Sequence, residues 1–136
     1  MSAFQVFSQV QFRDKECLLE ALKGIGYEQV EVHDQPQHLY GYEGRQRPEK
    51  AEVIVRRCYV GQASNDVGFA RRDGAYVPII SEYDRRHRWN DSTITRLKVE
   101  YAQAAVNKVV RQKRATVLNK GRKAGVRTIR VRLYAG

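Results

Sequence analysis

The residues with the clearest chemical potential are cations crowded into the last third of the chain. Lys120, Arg122, Lys123, Arg127, Arg130 and Arg132 follow one another closely, with Arg111, Lys113 and Arg114 just before them. From Arg96 onward the chain holds twelve Lys or Arg and a single acid, Glu100, whereas residues 1–95 hold thirteen bases and fourteen acids. The formal net charge of +10 therefore resides at the C-terminal end. Like charges held together repel, and an anionic partner relieves that repulsion. Phosphates are one such partner, each neutralised phosphate adding to a salt-dependent affinity. Gly121 and Gly125 would let the backbone approach a phosphate, and Tyr134 offers a ring for an unpaired base. Nucleic acid, more readily RNA or single strands than duplex, is the first expectation. An acidic protein partner and a merely solvated basic face are the alternatives.

A second cationic group, Arg85, Arg86 and Arg88 with Trp89, precedes the N-terminus of the expected C-terminal helix. Free N–H groups and the positive end of the helix dipole favour an anion there, and Trp89 could stack on a base. The competing expectation is that Trp89 fills the edge of the core while the arginines reach into water.

Catalytic and metal chemistry find little support. His33, Asp34 and His38 are neighbours in sequence, but their spacing is no recognised ligand box, and Cys17 and Cys58 form no CxxC pair. The chain lacks a GxSxG elbow, a Walker loop and a GxGxxG loop. The expectation is a non-enzymatic binding protein without metal or cofactor. Two cysteines are too few for a disulfide framework, which points to a reduced, cytoplasmic compartment. No stretch approaches a membrane span, and the first ten residues do not resemble a secretory signal.

The elements that would position these residues follow from periodicity. At 136 residues and 42% hydrophobic content the chain fits a single domain, 1–136. Phe4, Val6, Val10 and Phe12 alternate as a strand. Asp14 caps a helix carrying Cys17, Leu18, Ala21, Leu22 and Ile25 on one face, stopped by Gly24 and Gly26. Val30 and Val32 open a second strand, followed by a turn around Pro36 and a polar loop over residues 44–50. Strands are expected at 52–59, 67–71 and 75–80. Asp73-Gly74 makes the last two a hairpin, and Pro78 marks an edge or bulge. Tyr40, Tyr42, Tyr59 and Tyr76 fall on strands, where they serve as sheet core. Asp91 or Ser92 caps a second helix that buries Ile94, Leu97, Tyr101, Ala105 and Val109 and projects Arg96, Arg111 and Arg114. A hairpin then follows: a strand from Val117 and Leu118, a basic loop over 119–125, and a strand that buries Ile129, Val131 and Leu133. The order β-α-β-β-β-β-β-α-β-β implies an α+β fold, an antiparallel sheet of short strands with two helices on one face.

Several short motifs carry a family resemblance. They are Met1-Ser2-x-Phe4, Leu19-x-x-Leu22 ending at Gly24 and Gly26, Tyr40-Gly41-Tyr42, and Ala51-x-Val53-x-Val55. Asp66-Val67-Gly68-Phe69 ahead of Gly74-x-Tyr76, and Tyr101-Ala102, complete the set. Together they resemble the family of hypothetical chloroplast reading frame thirty-five and its bacterial relatives. The resemblance implies a small soluble protein of cyanobacteria, algal plastids and other bacteria, in the bacterial cytosol or plastid stroma, with no established activity. The strongly basic tail departs from that family's pattern.

Overall fold

The computed structural model describes the backbone of residues 2–123 and the side chains of residues 2–118. The elements in order are β1 (Phe4–Val6), α1 (Lys15–Gly24), β2 (Glu31–Tyr40), β3 (Gln46–Val55) and α2 (Arg57–Val60). There follow β4 (Val67–Arg72), β5 (Ala75–Ser81), α3 (Glu82–Arg86) and α4 (Asp91–Lys123). The strands form one antiparallel sheet in the order β1-β5-β4-β3-β2. The α+β class expected from the periodicity holds.

Local signals explain the boundaries. The Asp14 carboxylate accepts from Cys17 N at 3.0 Å and starts α1, which buries Cys17, Leu18, Ala21 and Leu22. Asp73 and Gly74 take φ of 51° and 77°, the paired left-handed conformation of a two-residue hairpin turn. Pro78 sits in β5, an interior strand and not an edge. Tyr76 N and O both bond Phe12, so by strand parity Pro78 faces the same side, where its carbonyl accepts from Phe7 N. The Phe7 carbonyl opposite it, which a donor at this position would have met, accepts instead from Val10 N at 3.0 Å, so the missing N–H leaves no acceptor unpaired.

Two apolar clusters flank the sheet. On the helix side Val53, Val55, Val67, Phe69 and Ile80 pack against Leu18 and Leu22 of α1 and Ile94 and Leu97 of α4. On the other side Leu39, Ala51, Ile54, Ala70, Val77 and Ile79 form a smaller cluster joined by Phe4. The β2–β3 hairpin curls over that second face. Its Arg47 lies over the Phe4 ring at 5.2 Å and donates to Ser2 O at 3.2 Å. Gly68 allows the close approach: a Cβ there would stand 2.7 Å from Ala51 Cβ and 2.9 Å from Leu39 Cδ2. Buried Asp66 fastens the curl by accepting from Tyr40 N (2.7 Å), Arg57 N (2.7 Å) and Arg56 Nη1 (2.8 Å).

The structure differs from the sequence expectations at several places. The first strand stops at Val6, and Phe12 pairs with Tyr76 only as an isolated bridge. Tyr42 lies in a turn and Tyr59 on α2, both exposed and neither sheet core. β2 continues through Pro36 because a shift of register between Val32 and Gln37 absorbs the missing donor. β3 likewise includes Pro48, beside a second shift between His38 and Tyr40, so the polar stretch 46–50 is strand and not loop. The strand expected over 52–59 ends at Val55 and gives way to α2, and α3 adds another short helix. Finally, α4 runs 33 residues to Lys123, so Val117 and Leu118 are helical. So are residues 119–123 of the expected basic loop. No Gly or Pro interrupts 91–120, and a nucleated helix propagates at little cost per residue. The expected last strand, with Ile129, Val131 and Leu133, lies outside the described residues.

Candidate interaction surface

The start of α4 is built from Asn90, not from Asp91 or Ser92: Asn90 Oδ1 accepts from Thr93 N at 3.1 Å. Arg85 braces this corner, donating to Trp89 O at 2.8 Å and pairing with Asp91. Trp89 is wholly buried, stacked on Tyr27 at 5.4 Å and edge-on to Phe69 at 6.0 Å. Its ring is therefore core and offers no face to a base. Arg86 and Arg88 are exposed and Arg85 is partly covered. Of the second anion site expected from the sequence, two guanidinium groups, Arg86 and Arg88, are exposed.

Along its first half α4 packs on α1 through Ile94, Leu97 and Ala104. The Tyr101 hydroxyl accepts from Asp14 N at 3.0 Å. About two turns further, Lys108 Nζ lies 2.7 Å from Asp14 Oδ2 and 3.3 Å from Glu16 Oε2. This pairing raises the Lys108 pKa and holds the Asp14 carboxyl below its usual range. Among the described residues, no hydrogen bond or ion pair ties α4 to the body beyond Lys108. At 1.5 Å per residue, the stretch from Val109 to Lys123 extends roughly 22 Å past that anchor.

The arm departs from the expected buried stripe at two apolar positions. Val109 is 48% exposed and Ala105 only half-buried, so neither belongs to the core stripe. Val99, Ala102, Val106, Val109, Val110 and Val117 instead form a second apolar stripe. At 100° per residue it lies roughly 160° around the helix from Ile94, Leu97, Tyr101, Ala104 and Lys108. Arg111, Lys113 and Arg114 are exposed, with Lys113 inside the valine stripe and Arg96 and Arg114 along its margin. Lys120, Arg122 and Lys123 belong to the α4 backbone, and Arg127, Arg130 and Arg132 lie outside the described residues. Periodicity taken from Ile94 finds only the buried stripe. The signal for the second is the i, i+3, i+7, i+10 spacing that starts at Val99.

The remaining polar side chains largely bond one another, although Asp84 Oδ1 is buried without a hydrogen-bond partner. Arg56 donates to Glu31 at 2.8 and 2.9 Å and to Asp66, which raises its pKa and lowers that of Glu31. Buried Asn65, Ser81 and Asp84 bond one another: Ser81 Oγ donates to Asp84 Oδ2 at 2.8 Å, and Asn65 Nδ2 donates to Ser81 Oγ at 2.8 Å. The three histidines bond separate groups: His33 the Glu31 carboxylate, His38 Arg47 O and His87 Tyr83 O. No group of three His, Cys, Asp or Glu side chains able to hold a metal ion occurs among the described residues. Burial pushes the Cys17 thiol up, away from a reactive thiolate. Among the described residues, no helix is long and apolar enough to cross a membrane.

No curated protein and no solved structure matches the chain. A family model described as a protein of unknown function, DUF1257, matches residues 21–131, from α1 through α4 and past its end. The chain belongs to the DUF1257 family.

Proposed function

We propose that this protein is a non-enzymatic interaction subunit whose α4 arm docks on an acidic, partly apolar protein surface. One observation carries the reading: beyond Lys108 the helix leaves the body with valines and cations interleaved on its exposed sides. Phosphates have no use for Val106, Val109 and Val110, whereas a groove with apolar floor and acidic rim uses both kinds of residue. Histidines that bond three separate groups instead of converging, and a buried Cys17, support binding over catalysis. Free Cys17 and Cys58 support a reduced compartment, the bacterial cytosol or plastid stroma. Kinship with the family of chloroplast reading frame thirty-five is part of the same proposal and rests on the motifs quoted above.

The charge density favours a second reading, nucleic acid bound as single strands or RNA, since twelve Lys or Arg fall after residue 95. Two substitutions separate the readings. Val109→Ser with Val110→Ser removes apolar surface and leaves every charge in place. A synthetic acidic amphipathic helix, Leu on one face and Glu on the other, is the probe for the first reading. Its affinity falls about tenfold in the valine variant, consistent with roughly 0.8 kcal/mol per CH₂ left unburied. Fluorescent single-stranded RNA bound equally well by both forms, with no binding of the helix, establishes the second reading instead.

A further inference from the structure

The chain carries its own acidic, apolar groove. A cavity of about 390 Å³ opens between α1 and the free edge of β2, floored by Leu19, Tyr27, Val30 and Val32. Val32 is 43% exposed although it lies on a strand, and nothing in the described chain covers it. Glu16, Glu20 and Glu28 rim the cavity, with Lys23 as the one opposing cation. Glu16 already meets Lys108 of its own chain, which leaves Glu20 and Glu28 as the available anions.

The arm of the same molecule cannot reach this groove. Glu100 lies against Gly24 at the end of α1, and Lys108 lies against Asp14 and Glu16 at its start, so α4 runs antiparallel to α1. Beyond Lys108 the helix is already past the start of α1 and moving away from the groove. Folding back would require breaking it, and no Gly or Pro stands between residues 91 and 120 to allow that.

We propose that the groove receives the α4 arm of a second copy of this chain. The proposal rests on the arm-docking reading above and names the partner. The complementarity is of two kinds. Val109, Val110 and Val117 match the apolar floor in character, and Lys113 and Arg114 meet Glu20 and Glu28. Lys23 opposes the arm, but two carboxylates outweigh it. Each chain supplies one arm and one groove, so a two-fold axis satisfies both at once and closes the assembly at a dimer. Reciprocity also doubles the contact, which a short arm needs to approach the roughly 1,200–2,000 Å² of a stable interface.

Charge reversal on each side tests the inference with the full chain. One variant is Lys113→Glu with Arg114→Glu, and the other is Glu20→Arg with Glu28→Arg. All four side chains are exposed, so neither variant is expected to disturb the fold, and far-ultraviolet circular dichroism checks this. Sedimentation equilibrium is expected to show a wild-type dimer that weakens as salt rises. Each variant alone dissociates at least tenfold more readily, and mixing the two restores a one-to-one dimer because each arm then finds a groove of opposite charge. A wild-type chain that is monomeric yet still binds the acidic helix overturns the second-copy inference and leaves arm docking standing. A chain that neither dimerises nor binds the acidic helix removes both. A dimer indifferent to both reversals places the interface elsewhere and likewise overturns the inference.

Discussion

Replacing Gly68 with alanine tests how the curled sheet is held. The position is fully buried in β4, opposite Ile54 on β3 and Ile79 on β5. On propensity alone the change would help, since an added methyl restricts the unfolded chain by about 0.4–1 kcal/mol. Sterics oppose it more strongly. The new Cβ would meet Ala51 Cβ at 2.7 Å and the two Leu39 methyls at 2.9 and 3.1 Å, all inside ordinary contact. Ala51 Cβ is fixed to its strand and Leu39 is wholly buried, so neither has room to withdraw. Overpacking of this kind costs roughly 1–3 kcal/mol. The balance is a loss of about 1–2 kcal/mol, or roughly 4–8 °C in Tm for a domain of this size. Urea denaturation followed by tryptophan fluorescence reads it directly, because Trp89 sits in the core. Leu39→Ala in the same background makes space, so the double variant loses less than the sum of the two single changes. A Gly68→Ala protein as stable as wild type, or losses that simply add, would refute the claim that the hairpin packs onto Gly68.

Trp89→Ala removes a wholly buried indole stacked on Tyr27 and destabilises by about 3–5 kcal/mol, measured by denaturation followed by circular dichroism. Asn90→Ala removes the cap of α4 and costs about 1 kcal/mol, whereas Asn90→Asp keeps most of it, and calorimetry of the three forms distinguishes them. Asp14 and Glu31 both have folded pKa values held below their unfolded ones, by Lys108 and Arg56 respectively. Their stabilising contribution is present above the ordinary carboxylate range and is lost as pH falls through the depressed folded values. The urea midpoint therefore declines between about pH 5 and pH 2, and Asp14→Asn makes that decline shallower.

Much of the body is legible in the sequence because single residues carry their own physics. Asp14 before an apolar i, i+4 pattern gives the start and buried face of α1, and Asp73-Gly74 gives the β4–β5 turn. The alternation of Val53 and Val55 gives the helix-facing side of β3. The β2–β3 hairpin is hidden for the opposite reason. Pro36 and Pro48 normally end strands, and only tertiary pairing with shifted register accommodates them, which no local pattern reveals. The Asp66 hub joins Tyr40, Arg56 and Arg57 across the fold, and sequence distance conceals it. On α4 the sequence yields the cations but misassigns the valines. Val109 fits the buried periodicity as well as the exposed one, and only the end of α1 near Lys108 decides between them.

The most direct measurement for the arm-docking claim is the affinity of the whole protein for the acidic amphipathic helix. It is compared with affinities after Val109→Ser with Val110→Ser and after Lys113→Glu with Arg114→Glu, at low and moderate salt. The account predicts binding that each pair weakens at least tenfold, with salt weakening it further and neither pair altering the melting temperature by more than a few degrees. Binding that survives loss of the valines, or an acidic helix that never binds while single-stranded RNA does, would contradict it.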